Sequence, residues 1–178
     1  MKIKTLATIL FAVVFLVACN AENASEGSET IIGETEDIKS LVQDYSLKNL
    51  EAESASISSE KLTVTKNDGS EIIYDLPNDE FFVSIAPYIN ETHPCEIHNL
   101  TGCQGELVNE SFDVYIEDSK GNVVIDDTLQ TEANGFIDLW LPRDETYKIL
   151  IEHEGKQVES EISTFINDGT CITTMKLS

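Results

Sequence analysis

Residues 135–151 read GFIDLWLPRDETYKILI, and this stretch decides the fold. Ile137, Leu139 and Leu141 recur at every second position, which is the period of a β-strand with one buried face. A turn containing Pro142 follows, and a second apolar run begins at Tyr147. Two short strands joined by a turn predict an antiparallel sheet.

The same pattern extends in both directions along the chain from residue 81 onward. Further strands separated by turn residues are predicted at 81–85, 112–117, 123–125, 157–165 and 171–177. Strands of this length and spacing are typical of a β-sandwich. The run from Gly135 to Ile151 resembles transthyretin-like sandwich domains. We therefore predict an α+β fold, mainly an antiparallel β-sandwich of transthyretin-like or Ig-like type, with residues 79–178 as a β-rich domain.

Residues 36–78 carry a different pattern. Ile38, Leu41, Val42 and Tyr45 recur at helical spacing and predict a helix from residue 36 to about residue 54. Two β-rich segments around the turn Asn67–Gly69 predict a hairpin. One helix and one hairpin bury too little surface to fold alone. This region must therefore pack on the rest of the chain or on a second copy of it.

The first nineteen residues have the features of a bacterial lipoprotein signal peptide. Two lysines precede an apolar stretch, and the sequence LVAC at residues 16–19 resembles a lipobox, in which the cysteine is acylated. We predict a signal peptide at 1–19, lipidation at Cys19 and a flexible tether at 20–35. An ordinary secretion signal is the alternative. The predicted location is extracytoplasmic, with the protein lipid-anchored to the bacterial cell membrane.

The charge of the chain excludes one class of partner. The formal net charge is −22, with 33 acidic residues against 11 lysines and arginines. A chain this acidic is repelled by phosphate backbones, so nucleic acid is not an expected partner.

The segment THPCEIHNLTGCQ at residues 92–104 concentrates the soft ligand groups of the chain. It holds two of the four cysteines and two of the three histidines. Pro94 and Gly102 fit the two ends of a short helix, which would place Cys95, His98 and Cys103 on one face. Cys171 could fold back to join them.

Three thiols remain once Cys19 carries lipid, and an odd number suits a disulfide framework poorly. Two or three thiolates with an optional imidazole suit Cu(I), and Zn(II) is the main competitor. Two thiols that oxidise to a disulfide also release two electrons, which would allow the protein to reduce Cu(II), and an enzymatic role is therefore one of the alternatives. The alternatives are a structural disulfide between Cys95 and Cys103, and a role for the same thiols in thiol–disulfide exchange. A surface sandwich domain with an inert disulfide is a further alternative.

A longer pattern supports the copper interpretation. The residues that carry it are Thr92, His93, Cys95, His98, Leu100, Thr101, Cys103, Gly105, Glu106, Leu107, Thr170, Cys171 and Thr173. This pattern resembles the CueP family of extracytoplasmic copper-binding proteins over roughly residues 81–178. The resemblance implies copper sequestration and copper resistance, with Cys95, Cys103 and Cys171 as ligands and His98 or His93 as further candidates. It also implies a homodimer formed through the N-terminal region.

Overall fold

The computed structural model describes residues 30–178. The predicted signal peptide, Cys19 and most of the predicted tether lie outside the described residues. Among residues 30–178, no helix is both long enough and apolar enough to span a membrane.

The described residues form twelve strands and one helix, α1 (Ile38–Ser46). The strands are β1 (Thr30–Ile32), β2 (Ser54–Ile57), β3 (Lys61–Thr65), β4 (Glu71–Asp75), β5 (Glu80–Ile85), β6 (His98–Asn99), β7 (Ser111–Asp118), β8 (Val123–Gln130), β9 (Ile137–Pro142), β10 (Thr146–His153), β11 (Lys156–Ser163) and β12 (Cys171–Ile172).

These strands make three sheets, in the orders β1-β4-β3-β2-β6, β11-β10-β7-β8 and β12-β5-β9. All pairs are antiparallel except β1 with β4 and β12 with β5. The predicted fold class is confirmed, because the structure is a mainly antiparallel β fold with one short helix.

The three-stranded sheet β12-β5-β9 has a hydrophobic core on each face. Because side chains alternate along a strand, Phe81 and Val83 of β5 enter one core while Phe82 enters the other. The first core lies against the four-stranded sheet, with Val114 of β7 and Ile149 of β10. The second core joins the three-stranded sheet to the five-stranded sheet and α1. Its buried members are Val42, Tyr45, Ala55, Ile57, Leu62, Val64, Leu76, Phe82 and Leu100.

The N-terminal region is thus packed on the rest of the chain. Its hairpin forms as predicted, with β3 and β4 paired from Lys61 with Asp75 to Thr65 with Glu71. The helix is shorter than predicted and ends at Ser46. The chain turns at Lys48, whose φ is +59°, and then continues into β2. The boundary at residues 78/79 between two domains stays a prediction.

The helix predicted from Pro94 to Thr101 is wrong. His98 and Asn99 instead pair with Ile57 and Ser56 of β2 as a short antiparallel strand. The Asn99 side chain then accepts hydrogen bonds from the backbone N–H groups of Thr101 at 3.1 Å and Gly102 at 2.9 Å. An Asn side chain bonded in this way stabilises a turn at the expense of a helix.

Candidate metal centre

Four side chains with metal-ligating atoms lie together where the five-stranded and three-stranded sheets meet. The ligand atoms of Cys95, His98, Cys103 and Cys171 all lie within 4.8 Å of one another. His98 and Cys171 are buried, whereas Cys95 and Cys103 are partly exposed. A ligand that arrives from solvent therefore meets the sulfurs of Cys95 and Cys103 first.

Each of the four residues is held by a different part of the fold. His98 lies on β6, and its backbone N–H donates to Thr170 Oγ1 at 3.0 Å. Cys171 lies on β12, where it pairs with Ser84 of β5. Cys103 follows the Asn99 turn, and its backbone N–H donates to the Asn99 carbonyl at 2.9 Å. Cys95 lies in the irregular segment before β6.

The structure joins Cys95 and Cys171 in a disulfide across 76 residues of sequence, with their Cα atoms 5.6 Å apart. It does not contain the Cys95–Cys103 disulfide that the sequence left as an alternative. Cys103 is the free cysteine of residues 30–178, with its Sγ 3.5 Å from that of Cys95. Two of the three cysteines are therefore joined in a disulfide, and the free thiol of the third lies beside them.

His98 is held by contacts on both edges and on the face of its ring. Its Nδ1 lies 3.4 Å from Cys171 Sγ, and its Nε2 lies 3.3 Å from Ser84 Oγ. The ring of Phe136 lies 4.5 Å away between centroids. Burial, and to a lesser degree the nearby charge of His93, lowers the pKa of His98 from 6.5 to about 4. The imidazole is therefore neutral near pH 7, as a metal ligand must be.

The half-buried carboxylate of Asp138 lies next to Ser84. Ser84 Oγ donates to Asp138 Oδ1 at 2.5 Å, and Ser46 Oγ of α1 donates to Asp138 Oδ2 at the same distance. Burial raises the pKa of Asp138, while the two serine hydrogen bonds act to lower it. Ser84 and Asp138 are not among the site residues predicted from the sequence. The available signal was a polar residue inside each of two apolar strands, FFVSI and IDLWL.

The other two histidines and the tryptophan are outside this group of four. His93 packs near Phe136, with 6.3 Å between the ring centroids. His153 lies partly exposed at the end of β10, with Nδ1 2.9 Å from the Ser111 carbonyl oxygen. Trp140 packs edge-on against Phe82 and lies against the second core.

Fold and site together define a class of protein: a layered β-sheet domain with a cluster of three cysteines and one histidine that could hold a metal ion. The profile of a family described as periplasmic copper-binding protein CueP matches residues 36–176. The crystal structure of S.CueP is similar to this chain at 34% identity and a TM-score of 0.75, covering 80% of this chain and 89% of that one. No curated protein matches significantly. The chain belongs to the CueP family.

Proposed function

We propose that this protein captures copper through the sulfurs of Cys95, Cys103 and Cys171, with the imidazole of His98 as a fourth ligand. The observation that carries the proposal is the convergence of these four ligand atoms within 4.8 Å. Membership of a family described as periplasmic and copper-binding supports copper as the metal. Capture outside the cytoplasm would limit copper damage and contribute to copper resistance.

The chemistry of the ligands favours Cu(I) as the bound ion. Thiolates are soft ligands that select Cu(I), and Cu(I) is satisfied by two or three of them. Zn(II) is the main competitor, since three cysteines and one histidine also make a tetrahedral zinc site. The full set of three thiolates requires the Cys95–Cys171 disulfide to be reduced first. Copper capture is therefore expected to depend on the redox state of the protein.

A competition titration tests this function. The fully reduced protein is titrated anaerobically with Cu(I) against a chelator of known affinity, and a parallel titration uses Zn(II). We expect one Cu(I) per chain and at least about a tenfold loss of affinity on substitution of serine for Cys95, Cys103 or Cys171, because even indirect ligand changes cost about that much. Thr131→Val is the control, since the Thr131 hydroxyl is buried and, within residues 30–178, bonds only the backbone of Glu110. Tight Cu(I) binding that survives all three cysteine substitutions contradicts the assignment.

We further propose that the thiols of Cys95 and Cys171 reduce Cu(II). Two thiols lose two electrons and two protons to form a disulfide, and two Cu(II) ions each gain one electron to become Cu(I). The Cys95–Cys171 pairing supports these two residues as the electron source. Because Cys103 could replace either partner, the test is made in Cys103→Ser, where a Cu(I)-specific chromophoric chelator should report about two Cu(I) per reduced chain. Adding Cys171→Ser to that variant should leave close to none, and undiminished reduction by the double variant contradicts this role.

Thiol–disulfide exchange is the second candidate function. It is supported by the free thiol of Cys103, whose Sγ lies 3.5 Å from Cys95 Sγ. Attack of the Cys103 thiolate on Cys95 Sγ would form a Cys95–Cys103 bond and release Cys171 as the leaving thiolate. A single-cysteine variant that keeps only Cys95 of the three should then trap a client protein as a mixed disulfide. If no such adduct forms in the extracytoplasmic compartment, this candidate fails.

We propose in addition that the protein is held at the membrane by lipid on Cys19. The support is the LVAC sequence that follows a positively charged and then apolar segment.

The homodimer implied by the family resemblance is also a proposal. The second core already covers the N-terminal region within one chain, so dimerisation is not needed to complete that core. Sedimentation analysis of the mature protein distinguishes a monomer from a dimer.

A further inference from the structure

Three residues from three different strands form a row across the three-stranded sheet. Cys171 of β12 pairs with Ser84 of β5, and Ser84 pairs with Asp138 of β9. Residues that lie directly opposite each other in a sheet project their side chains from the same face. The register therefore presents a sulfur, a hydroxyl and a carboxylate side by side, towards the five-stranded sheet.

The His98 ring contacts both Cys171 and Ser84 of this row. Its Nδ1 faces Cys171 Sγ at 3.4 Å, and its Nε2 faces Ser84 Oγ at 3.3 Å. The imidazole is fully buried. In a neutral imidazole one ring nitrogen carries hydrogen and donates, while the other has a lone pair and accepts. The neighbours of the ring therefore decide which nitrogen is available to a metal.

The hydrogen on Ser84 is directed at Asp138. The carboxylate accepts Ser84 Oγ–H at Oδ1 and Ser46 Oγ–H at Oδ2, both at 2.5 Å. Distances of about 2.5–2.7 Å are typical of a hydroxyl that donates to an ionised carboxylate. A serine hydroxyl has one hydrogen, so Ser84 meets His98 Nε2 with its oxygen lone pair. The hydrogen between these two groups then belongs to Nε2.

We propose that Ser84 and Asp138 are positioning residues that hold His98 in the Nε2–H tautomer, so that Nδ1 is the nitrogen that binds the metal. This inference rests on the proposed function of the four-residue cluster. The opposite tautomer places N–H on the sulfur side of the ring, where it blocks metal binding. It also sets the lone pairs of Nε2 and the Ser84 oxygen against each other. Hydrogen bonding at the second ring nitrogen is the usual way in which proteins orient a ligating histidine.

The hydrogen-bond chain predicts different effects for two substitutions. Asp138→Asn replaces an acceptor-only group with an amide that can donate to Ser84, which frees the Ser84 hydrogen to turn towards Nε2. This substitution is expected to favour the Nδ1–H tautomer. Ser84→Ala removes the acceptor for Nε2–H without supplying a donor, so a mixture of the two tautomers is expected.

The experiment measures tautomer and affinity on the same full mature chain. Histidine-labelled protein, reduced and free of metal, is examined by long-range ¹H–¹⁵N NMR, which distinguishes protonated from unprotonated ring nitrogens. Cu(I) affinity is then measured against a competing chelator. We expect the Nε2–H form in the wild type and a loss of about 10-fold or more in affinity for Asp138→Asn, with a smaller loss for Ser84→Ala. Thr131→Val serves as the control for loss of a buried hydroxyl and should change neither readout.

An Nδ1–H tautomer in the wild type overturns the inference, and so does an unchanged tautomer with unchanged affinity in both variants. The wild-type spectrum and Ser84→Ala decide the question if Asp138→Asn does not fold. A wild type that shows the Nε2–H tautomer but binds no Cu(I) overturns the proposed function and leaves the tautomer assignment standing. Failure of the tautomer inference and failure of the proposed copper binding thus give different results.

Discussion

Glu106 forms hydrogen bonds with residues 89 and 90, in the segment that precedes Cys95. Its carboxylate accepts hydrogen bonds from the backbone N–H of Ile89 at 2.6 Å and of Asn90 at 2.9 Å, and from the Asn90 side chain at 2.9 Å. Desolvation acts to raise the pKa of Glu106, but the hydrogen bonds from Asn90 and Ile89 outweigh it and lower the pKa from 4.5 to about 2. The ionised form is therefore the one that holds this segment.

We predict that Glu106→Gln lowers the free energy of unfolding by about 1 kcal/mol at pH 7, because the amide replaces only part of the acceptor capacity. A carboxyl whose folded-state pKa is lowered contributes its full stability above pH 4.5, and that contribution is lost as the pH falls towards 2. The difference between wild type and variant should therefore shrink between pH 5 and pH 2. Urea unfolding at a series of pH values measures it. A difference that stays constant over this range contradicts the role given to the carboxylate.

At the level of single residues, the sequence identified which side chains could bind a metal but not which residues position those side chains. Cys95, His98 and Cys103 were singled out because soft groups are rare in so acidic a chain, and the structure brings them together with Cys171. Their roles as ligands stay a prediction. Ser84 and Asp138 could not be found in this way, because the partner of a lone polar residue in an apolar strand depends on sheet register.

Among the elements, the loop after Cys103 and the turn before β9 are in close backbone contact. A Cβ added at Gly135 would lie 2.8 Å from backbone atoms of Gly105, and Gly135 has a φ of +80°. The backbone N–H of Gly105 donates to the Asn134 carbonyl at 2.7 Å. Both positions require glycine, and the contact fixes the end of the loop that carries Cys103.

We predict that Gly135→Ala destabilises the protein by more than Gly69→Ala does. Gly69 has a φ of +81° with nothing within 4 Å of an added Cβ, so it has the same backbone strain without the contact. The strain costs about 1–2 kcal/mol in each variant. The additional loss in Gly135→Ala then measures the contact with Gly105, and thermal or urea unfolding gives both values. Equal losses in the two variants mean that the contact adds nothing.

The segment from Pro94 to Thr101 shows why one element was predicted wrongly. Pro94 and Gly102 are ordinary helix-end signals, and local signals carry no information about the free edge of β2. Pairing of β6 with β2 bonds the backbone of His98 and Asn99, and the Asn99 side chain accepts from the next turn, so these groups are not available to a helix. The hairpin of β3 and β4 was predicted correctly, because both partners and the turn lie within one short stretch.

For the whole molecule, the class of fold followed from the sequence but the arrangement of layers did not. Alternation at Ile137, Leu139 and Leu141 predicts one buried face, and these residues do enter the first core. The opposite face of the same strands is covered as well, by the N-terminal helix and hairpin. That second packing joins residues far apart in sequence, which periodicity cannot reveal.

The proposed attachment to the membrane concerns the whole chain, because the residue proposed to carry lipid precedes the folded domain in sequence. Cells that express the full-length protein are fed a palmitate analogue carrying an alkyne, and the purified protein is examined for the label. We expect label on the wild type and none on Cys19→Ser, because the acyl chains are attached through this residue and its new N-terminus. Cys103→Ser is the matched control and should keep the label. An unlabelled wild type, or a labelled Cys19→Ser, contradicts lipid anchoring.

The 76-residue separation of Cys95 and Cys171 sets an order of events during biogenesis. A chain exported from its N-terminus presents Cys95 and Cys103 long before Cys171 emerges and β12 docks beside β5. Until then only an incomplete pair of sulfurs faces the surroundings. Under the proposed copper capture, high-affinity loading would be coupled to completion of the sheet, and an ion bound by all three sulfurs would hold late and early parts of the chain together. The proposed metal centre would then report that the chain has finished folding.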